Sequence, residues 1–267
     1  MLKRWKLTIE YQGTPYAGWQ RQEEGIPSVQ QKIEEAITAF CQQECRLHVA
    51  GRTDAGVHAQ GQVAHFDLDY GDRPLDGFSL TMALNAHLRK EPIAIVMAQE
   101  VGEDFHARFS ASGKLYTYRL LNRAAPPSFE HRLVWHYRRF LDVGAMREAA
   151  AYLLGTHDFS SFRAAECQAK SPIKTLDVLD IESFPLVCGG QELRFLVKAR
   201  SFLHHQVRNM VGTLALVGDG KWTPLDVKAA LESTNRAAGG PTAPPDGLYL
   251  TDVYYDGPVK TGAQLPE

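Results

Sequence analysis

The chain has 267 residues, of which 44% are hydrophobic and 22% charged, with a formal net charge of −2 at pH 7. This length allows one large or two modest domains, and the near-neutral charge excludes a protein that is basic over its whole surface. No apolar run approaches the ~20 residues of a membrane helix, and the N-terminus has no signal-peptide core, so we expect a cytoplasmic protein without membrane contact.

The N-terminal region is predicted to form a strand and then a helix. The run from Lys6 to Tyr11 alternates like a half-buried strand. The loop after it carries Tyr16 and Trp19, aromatic residues that suit either stacking on RNA bases or anchoring in the core. Ser28 is predicted to cap a helix from about Val29 to Cys41.

A short loop flanked by glycines follows, between two strand-like runs. The runs extend from Arg46 to Ala50 and from Gln62 to Asp67, and they would display the carboxylate of Asp54 at the loop tip. Arg52 lies two residues earlier and can pair with this carboxylate or hold a phosphate beside it. The same residues are also typical of a plain turn.

Two αβ halves are predicted, residues 1–104 and 105–267. A helix around Ser79 to Asn85 and a strand from Ala94 to Glu100 complete the first half, and the short connections indicate a mainly antiparallel sheet. The second half repeats this outline. Its predicted strands are Lys114 to Leu121, Lys174 to Glu182, Glu192 to Ala199 and Leu248 to Tyr255. Its predicted helices are Asp142 to Leu154, with Asp142 as the N-cap, Phe202 to Val217 and Pro224 to Leu231. A loose tail is predicted after Gly257.

The cysteine and histidine residues give weak metal-site signals. The four cysteines, which include Cys188, are too few in a chain of this length for a disulfide framework. Cys41, Cys45 and His48 could ligate a metal, but no matching pair exists elsewhere and free thiols are favoured. His204 and His205, placed on the predicted helix, would diverge by about 100°, which favours a helix-face or core position over metal ligation.

Charge is segregated along the chain. The segment from Asp104 to Phe140 has seven basic and two acidic residues, a net +5, whereas the chain from Trp222 onward has three basic and six acidic residues, a net −3. The first segment is a candidate RNA-facing patch. A merely solvated surface would give the same count.

Nine groups of motifs, in order along nearly the whole chain, resemble those of the TruA-type tRNA pseudouridine synthases. The central motif is Gly51-Arg52-Thr53-Asp54-Ala55-Gly56-Val57-His58 with Gln62-Val63 after it. The other matching segments are residues 11–13 with 18–22, then 28–30, 85–88, 104–110, 116–118, 158–163, 202–212 and 242–250.

This resemblance implies an α+β protein with the pseudouridine synthase fold, in which two αβ halves with antiparallel sheets join over a central basic cleft. It implies isomerisation of uridine to pseudouridine on the 3′ side of the tRNA anticodon stem-loop, at the family's positions 38, 39 and 40. It also implies a homodimer and a reaction that uses no cofactor or metal. Two alternatives stay open: a tRNA-binding or chaperone protein without catalysis, and a pseudouridine synthase for another RNA site.

The resemblance also assigns residue roles. Asp54 matches the catalytic aspartate, which could attack the sugar, attack the base or first remove the 2′ proton. Tyr116 matches a tyrosine that stacks on the uracil and assists removal of the C5 proton. Arg208 matches the basic partner of the aspartate, Leu248 matches an apolar contact to the base, and Arg52 is expected to grip the RNA backbone or help flip the target nucleotide.

Overall fold

A computed structural model describes residues 2–23, 25–71, 74–187 and 189–256. The chain divides into two compact units: the first contains residues up to Ser112 and those from Leu250 onward, and the second is Gly113–Tyr249. The predicted boundary at residue 104 lies eight residues before Ser112, and the last strand, which the prediction placed in the second half, pairs with a strand of the first unit. Cys188 and the tail predicted after Gly257 lie outside the described residues.

The first unit contains strands in the order β4-β1-β3-β10, with β2 paired to β3. Strand β1 is antiparallel to β3 and to β4, and β2 is antiparallel to β3. Its strands are β1 (Leu2–Tyr11), β2 (His48–Val49), β3 (His58–Asp69), β4 (Ile93–Val101) and β10 (Leu248–Tyr255), whose first two residues belong to the second unit. Its helices are α1 (Val29–Cys41) and α2 (Gly77–His87).

The predicted helix α1 is confirmed together with its cap. The side chain of Ser28 accepts a hydrogen bond from the Gln31 amide at 3.3 Å, as an N-cap serine does. Val29, Ile33 and Ile37 are fully buried, so one apolar face of the helix packs into the core.

The second unit contains strands in the order β5-β9-β8-β7, which are antiparallel to their neighbours, and β6, which runs parallel to β5. Its strands are β5 (Ala111–Asn122), β6 (Trp135–Tyr137), β7 (Gly155–Asp158), β8 (Ile173–Pro185) and β9 (Gln191–Ala199). Its helices are α3 (Val143–Ala151), α4 (Gln206–Gly218) and α5 (Pro224–Glu232).

Strand β5 has the face pattern that the sequence predicts. Tyr116, Tyr118 and Leu120 are 9%, 0% and 0% exposed, because alternate side chains of a strand point to the same side of the sheet. Each of the three lies opposite an apolar residue of β9. This face is therefore largely buried, and Tyr116 is the most exposed of the three side chains.

Helix α4 begins later than predicted, at Gln206 instead of Phe202. His205 has a φ of +61°, a left-handed conformation that breaks the helix, and the side chain of Gln206 accepts a hydrogen bond from the Leu203 amide at 2.8 Å. The prediction that His204 and His205 lie on the helix is therefore wrong. Both residues precede it, and their ring centroids are 4.0 Å apart.

The antiparallel sheets and their helices confirm the expected α+β class. Within the described part of the chain, no helix is long and apolar enough to cross a membrane.

Candidate active site

Asp54 lies in the first unit, in the loop that joins β2 to β3. The ladder continues beyond β2, because the Ala50 amide donates to the Val63 carbonyl at 2.8 Å. The chain then turns, and the Val57 amide donates to the Asp54 carbonyl at 3.1 Å. Gly56 sits in this turn with a φ of +78°, which glycine adopts without a steric cost. Asp54 is half-buried and Arg52 is exposed, as a loop tip requires.

Buried polar side chains of β1 and β3 hold the loop in place. The Tyr11 hydroxyl at the end of β1 forms a 2.7 Å hydrogen bond with Thr53 Oγ1. Gln62 Nε2 on β3 donates to the Gly51 carbonyl at 2.8 Å and to the Tyr11 hydroxyl at 3.4 Å. Burial raises the pKa of Tyr11 to about 12, so its phenol stays protonated near neutral pH. Thr53, the residue before Asp54, is thus bonded to Tyr11 of β1, which is in turn bonded to Gln62 of β3.

A second segment, residues 13–19, presses against the same loop. The Trp19 amide donates to the Thr53 carbonyl at 3.1 Å, and the Gly56 amide donates to the Tyr16 carbonyl at 3.4 Å. A Cβ at Gly18 would lie 2.7 Å from the Thr53 carbonyl oxygen, so only glycine allows this approach. The backbone on both sides of Asp54 is therefore tied to another part of the unit.

The structure decides between the two uses suggested for Tyr16 and Trp19. Tyr16 is 4% and Trp19 1% exposed, and the Tyr16 hydroxyl donates to Glu91 at 2.7 Å. Both rings are core anchors behind the Asp54 loop. Of the two uses that the sequence left open, stacking on RNA bases does not apply, because both side chains are buried.

Tyr116, Arg208 and Leu248 belong to the second unit. Tyr116 pairs with Val197 in the sheet, and its ring meets the ring of Phe202 edge to face at 5.1 Å. Arg208 lies in the first turn of α4 and its Nε donates to the Ala243 carbonyl at 2.8 Å. The Ala243 amide in turn donates to the Arg208 carbonyl at 3.1 Å. Both the side chain and the backbone of Arg208 are therefore bonded to Ala243.

The segment of residues 240–248 connects these elements. Asn209 of α4 accepts from the Thr242 hydroxyl at 2.6 Å, and a Cβ at Gly212 would lie 1.9 Å from the Pro241 carbonyl oxygen. At the other end the Tyr118 hydroxyl on β5 donates to the Pro244 carbonyl at 2.8 Å. Leu248, 6% exposed, lies four residues after Pro244. It therefore follows a stretch of chain that contacts α4 and β5.

The basic segment around Arg119 is partly neutralised inside the second unit. Arg119 pairs with Glu130 and with Glu192, the latter at 2.8 Å, and Arg139 lies 3.7 Å from Asp219. Burial opposes the charge of Arg119, but the two glutamates outweigh it and raise its pKa. The count of +5 thus overstates the charge that this segment offers to RNA.

The metal site that the sequence left possible at Cys41, Cys45 and His48 is not formed. These three residues, all in the described part of the chain, do not bring three ligand atoms to metal-binding spacing. Burial and the neighbouring Cys41 raise the pKa of Cys45 to about 11, which keeps it a thiol at neutral pH. Free cysteines were favoured from the sequence, and Cys41 and Cys45 are free.

The sequence reasoning missed the residues that support the site. Tyr11, Thr53 and Gln62 were given no role, although each is at most 7% exposed and joins the loop to its strands. The available signal was Gln62, a polar residue at the start of the predicted strand Gln62 to Asp67, because a polar group that a strand buries needs a hydrogen-bond partner.

Comparison with known proteins gives consistent matches along the chain. A family model described as tRNA pseudouridine synthase matches residues 7–110 and 149–256. The chain is 55% identical to a tRNA pseudouridine synthase A of Rhodospirillum rubrum, covering 97% of this chain and 91% of the relative. It is 56% identical to a tRNA pseudouridine synthase A of Paramagnetospirillum magneticum, covering 95% and 96%.

Proposed function

The chain belongs to the tRNA pseudouridine synthase family, whose members are isomerases, and we propose that it uses Asp54 to convert uridines on the 3′ side of the tRNA anticodon stem-loop, positions 38, 39 and 40. The observation that carries the proposal is the bracing of the Asp54 loop. Hydrogen bonds from β1, from β3 and from residues 13–19 meet within the few residues around this carboxylate. A carboxylate held in this way is preorganised for reaction.

The reaction needs little more than a positioned carboxylate. The C1′–N1 bond of uridine breaks, the uracil turns, and a C1′–C5 bond forms, while N1 gains a proton and C5 loses one. No atom is added, so no cofactor is required. An ionised Asp54 serves each of three routes: attack on the sugar, attack on the base, or removal of the 2′ proton.

Residues of the second unit are given supporting roles. Tyr116 stacks on the uracil and assists removal of the C5 proton; its edge contact with Phe202 supports a fixed ring. Arg208 supplies the positive charge that keeps the catalytic carboxylate ionised, and its bond to Ala243 supports a fixed guanidinium. Leu248 provides an apolar surface for the base.

Arg52 contacts the RNA backbone. It is exposed and lies two residues before Asp54, which suits a guanidinium that binds phosphate while the target nucleotide leaves its stack. The partner is the tRNA anticodon stem-loop, and we propose that the enzyme acts as a homodimer in the cytoplasm.

The test is tritium release from C5-labelled uridine in unmodified tRNA, measured for the wild type, Asp54→Asn and Asp104→Asn. Asp104 is an exposed carboxylate of the same unit and serves as the matched control. We expect release with the wild type and the control and none with Asp54→Asn, which should still bind tRNA. Turnover by Asp54→Asn would overturn the aspartate assignment.

Mapping the product in the same reactions tests the site assignment. Pseudouridine at positions 38 to 40 is expected, and pseudouridine only elsewhere would identify a synthase for another RNA site. Binding without turnover by the wild-type protein would instead favour the chaperone alternative.

A further inference from the structure

Four aromatic rings of the first unit follow one another at short distances; the second of them, His65, is buried and the last, Phe109, is exposed. The ring centroids are 5.0 Å apart for His48 and His65, 4.7 Å for His65 and His106, and 4.4 Å for His106 and Phe109. His65 is 2% exposed, whereas Phe109 is 74% exposed. We call these four residues the ring series. Its outer end presents an apolar ring to solvent.

The loop that carries Phe109 is held in place by hydrogen bonds from three directions. The Ala107 amide donates to Nδ1 of His65 at 3.1 Å, and the Tyr255 hydroxyl donates to the Ala107 carbonyl at 2.8 Å. Arg4 donates to the Phe105 carbonyl at 3.0 Å. Because Ala107 is completely buried, the exposed ring two residues later stands on a fixed base.

His65 and His106 of the ring series are neutral at pH 7, because both have a lowered pKa. Burial lowers the pKa of His65 to about 4, and burial together with His48 lowers the pKa of His106. Nδ1 of His106 accepts from the Arg108 amide at 3.1 Å, as an uncharged imidazole can. Neutral rings offer flat faces for stacking rather than charges for phosphate.

A cationic group lies beside the exposed ring. The guanidinium of Arg108 is 5.8 Å from the centroid of the Phe109 ring, and both residues are exposed. An accessible aromatic ring with an adjacent cation is the arrangement that binds a base and its phosphate in single-stranded RNA.

The ring series lies away from the candidate catalytic loop. Strand β3 starts at His58, directly after that loop, and His65 is seven residues further along the strand. At the usual rise of a strand, this places the ring series roughly 20 Å from the start of β3. A nucleotide bound there is therefore not the target uridine.

We propose that Phe109, backed by His106 and flanked by Arg108, is a stacking subsite for an unpaired base of the tRNA substrate outside the reacting nucleotide. The proposal rests on tRNA being the substrate, as the family membership supports, and not on the role of Asp54. The subsite adds affinity and orientation to the complex and takes no part in the chemistry.

The test is the affinity for unmodified full-length tRNA, measured in the Asp54→Asn protein with Phe109→Ala, Phe109→Tyr or Phe78→Ala added. Phe78, on α2 of the same unit, is 76% exposed and is the matched control. Loss of one stacked base predicts about a tenfold to hundredfold weaker affinity for Phe109→Ala. Phe109→Tyr keeps a stacking ring and should bind like the parent, as should Phe78→Ala.

Unchanged affinity with Phe109→Ala would overturn the proposal. So would an altered sedimentation coefficient of Phe109→Ala without tRNA, because the ring would then contact a second copy of the chain. Because binding is measured without turnover, failure of the Asp54 assignment is detected separately, as tritium release by the Asp54→Asn protein.

A spectroscopic measurement tests the stacking directly. Tryptophan fluorescence is quenched when a base stacks on the indole, so tRNA should quench the added signal of Phe109→Trp. The signal added by Phe78→Trp should not change. Equal responses of the two variants would contradict a stacked base at Phe109.

Discussion

The two segments that carry candidate site residues, the Asp54 loop of the first unit and the segment of residues 240–248 of the second, are supported in different ways. The Asp54 loop is joined to a sheet by a chain of polar side chains, Gln62, Tyr11 and Thr53. The second segment lies against helix α4, where Asn209 bonds to it and Gly212 allows close contact. It is also bonded to strand β5 by the Tyr118 hydroxyl.

This difference predicts that the two segments respond differently to substitution. Removing a hydroxyl should loosen the Asp54 loop without unfolding the unit, since a single hydrogen bond contributes about 1 kcal/mol. Adding a methyl group on α4 should be much more damaging, because a backbone carbonyl occupies the space.

The largest effect is expected from Gly212→Ala. The new Cβ would lie 1.9 Å from the Pro241 carbonyl oxygen, so α4 and the segment must separate. We expect a loss of about 3 kcal/mol in the free energy of unfolding, at the upper end for overpacking. Urea unfolding measures it.

Gly144→Ala on α3 is the control for this substitution. Its Cβ would meet only a side-chain oxygen of Asp142, at 3.2 Å. It should leave the stability almost unchanged, and equal stability of the two variants would show that α4 does not fix the segment by close contact.

A smaller loss of stability is expected when the pH is lowered, because His65 of the first unit then gains a proton. Its pKa is about 4 in the folded protein and 6.5 ordinarily, mainly because of burial. The unfolded chain therefore binds the proton more readily, so the contribution of His65 is complete above pH 6.5 and is lost as the pH falls towards 4. We expect about 2 kcal/mol less stability at pH 4.5 than at pH 7.5 from this group.

Urea unfolding across this pH range checks the prediction. His65→Asn retains an acceptor for the Ala107 amide but cannot be protonated, so its stability should vary less with pH. His87→Asn, at the exposed end of α2, should follow the wild type. If His65→Asn also followed the wild type, the pH dependence would have another source.

The smallest effect is expected at the hydrogen bond between Tyr11 and Thr53. Tyr11→Phe and Thr53→Val should each reduce the free energy of unfolding by about 1 kcal/mol. The double variant should lose little more than either single variant, because the same bond is already absent. In tritium-release assays kcat should fall with KM unchanged, since the loop positions a reacting group. Additive losses would show that the two hydroxyls do not act together.

Local features were the most predictable from the sequence. Ser28 and Asp142 were identified as helix caps, and in the structure each side chain accepts a hydrogen bond from an amide three residues later. The final strand, Leu248–Tyr255, was predicted with its observed bounds. Both kinds of prediction succeed because capping and strand alternation depend on neighbours in the chain.

Predictions failed where distant contacts override a local pattern. The apolar spacing of Phe202 and Leu203 continues that of α4, but the conformation of His205 ends the helix before them. Tyr16 and Trp19 look equally suited to RNA and to the core, and their packing behind the Asp54 loop places them in the core. Composition does not distinguish these outcomes, because both use the same aromatic surface.

The sequence by itself determined the α+β class, most helices and strands, and the family through an ordered set of motifs. Only the tertiary structure decided that the last strand returns to the first unit, and that Tyr11, Thr53 and Gln62 hold the Asp54 loop. The physical reason is how far apart along the chain the interacting residues are. Helix caps and strand periodicity arise within a few residues, whereas strand pairing and buried hydrogen bonds join residues up to hundreds of positions apart.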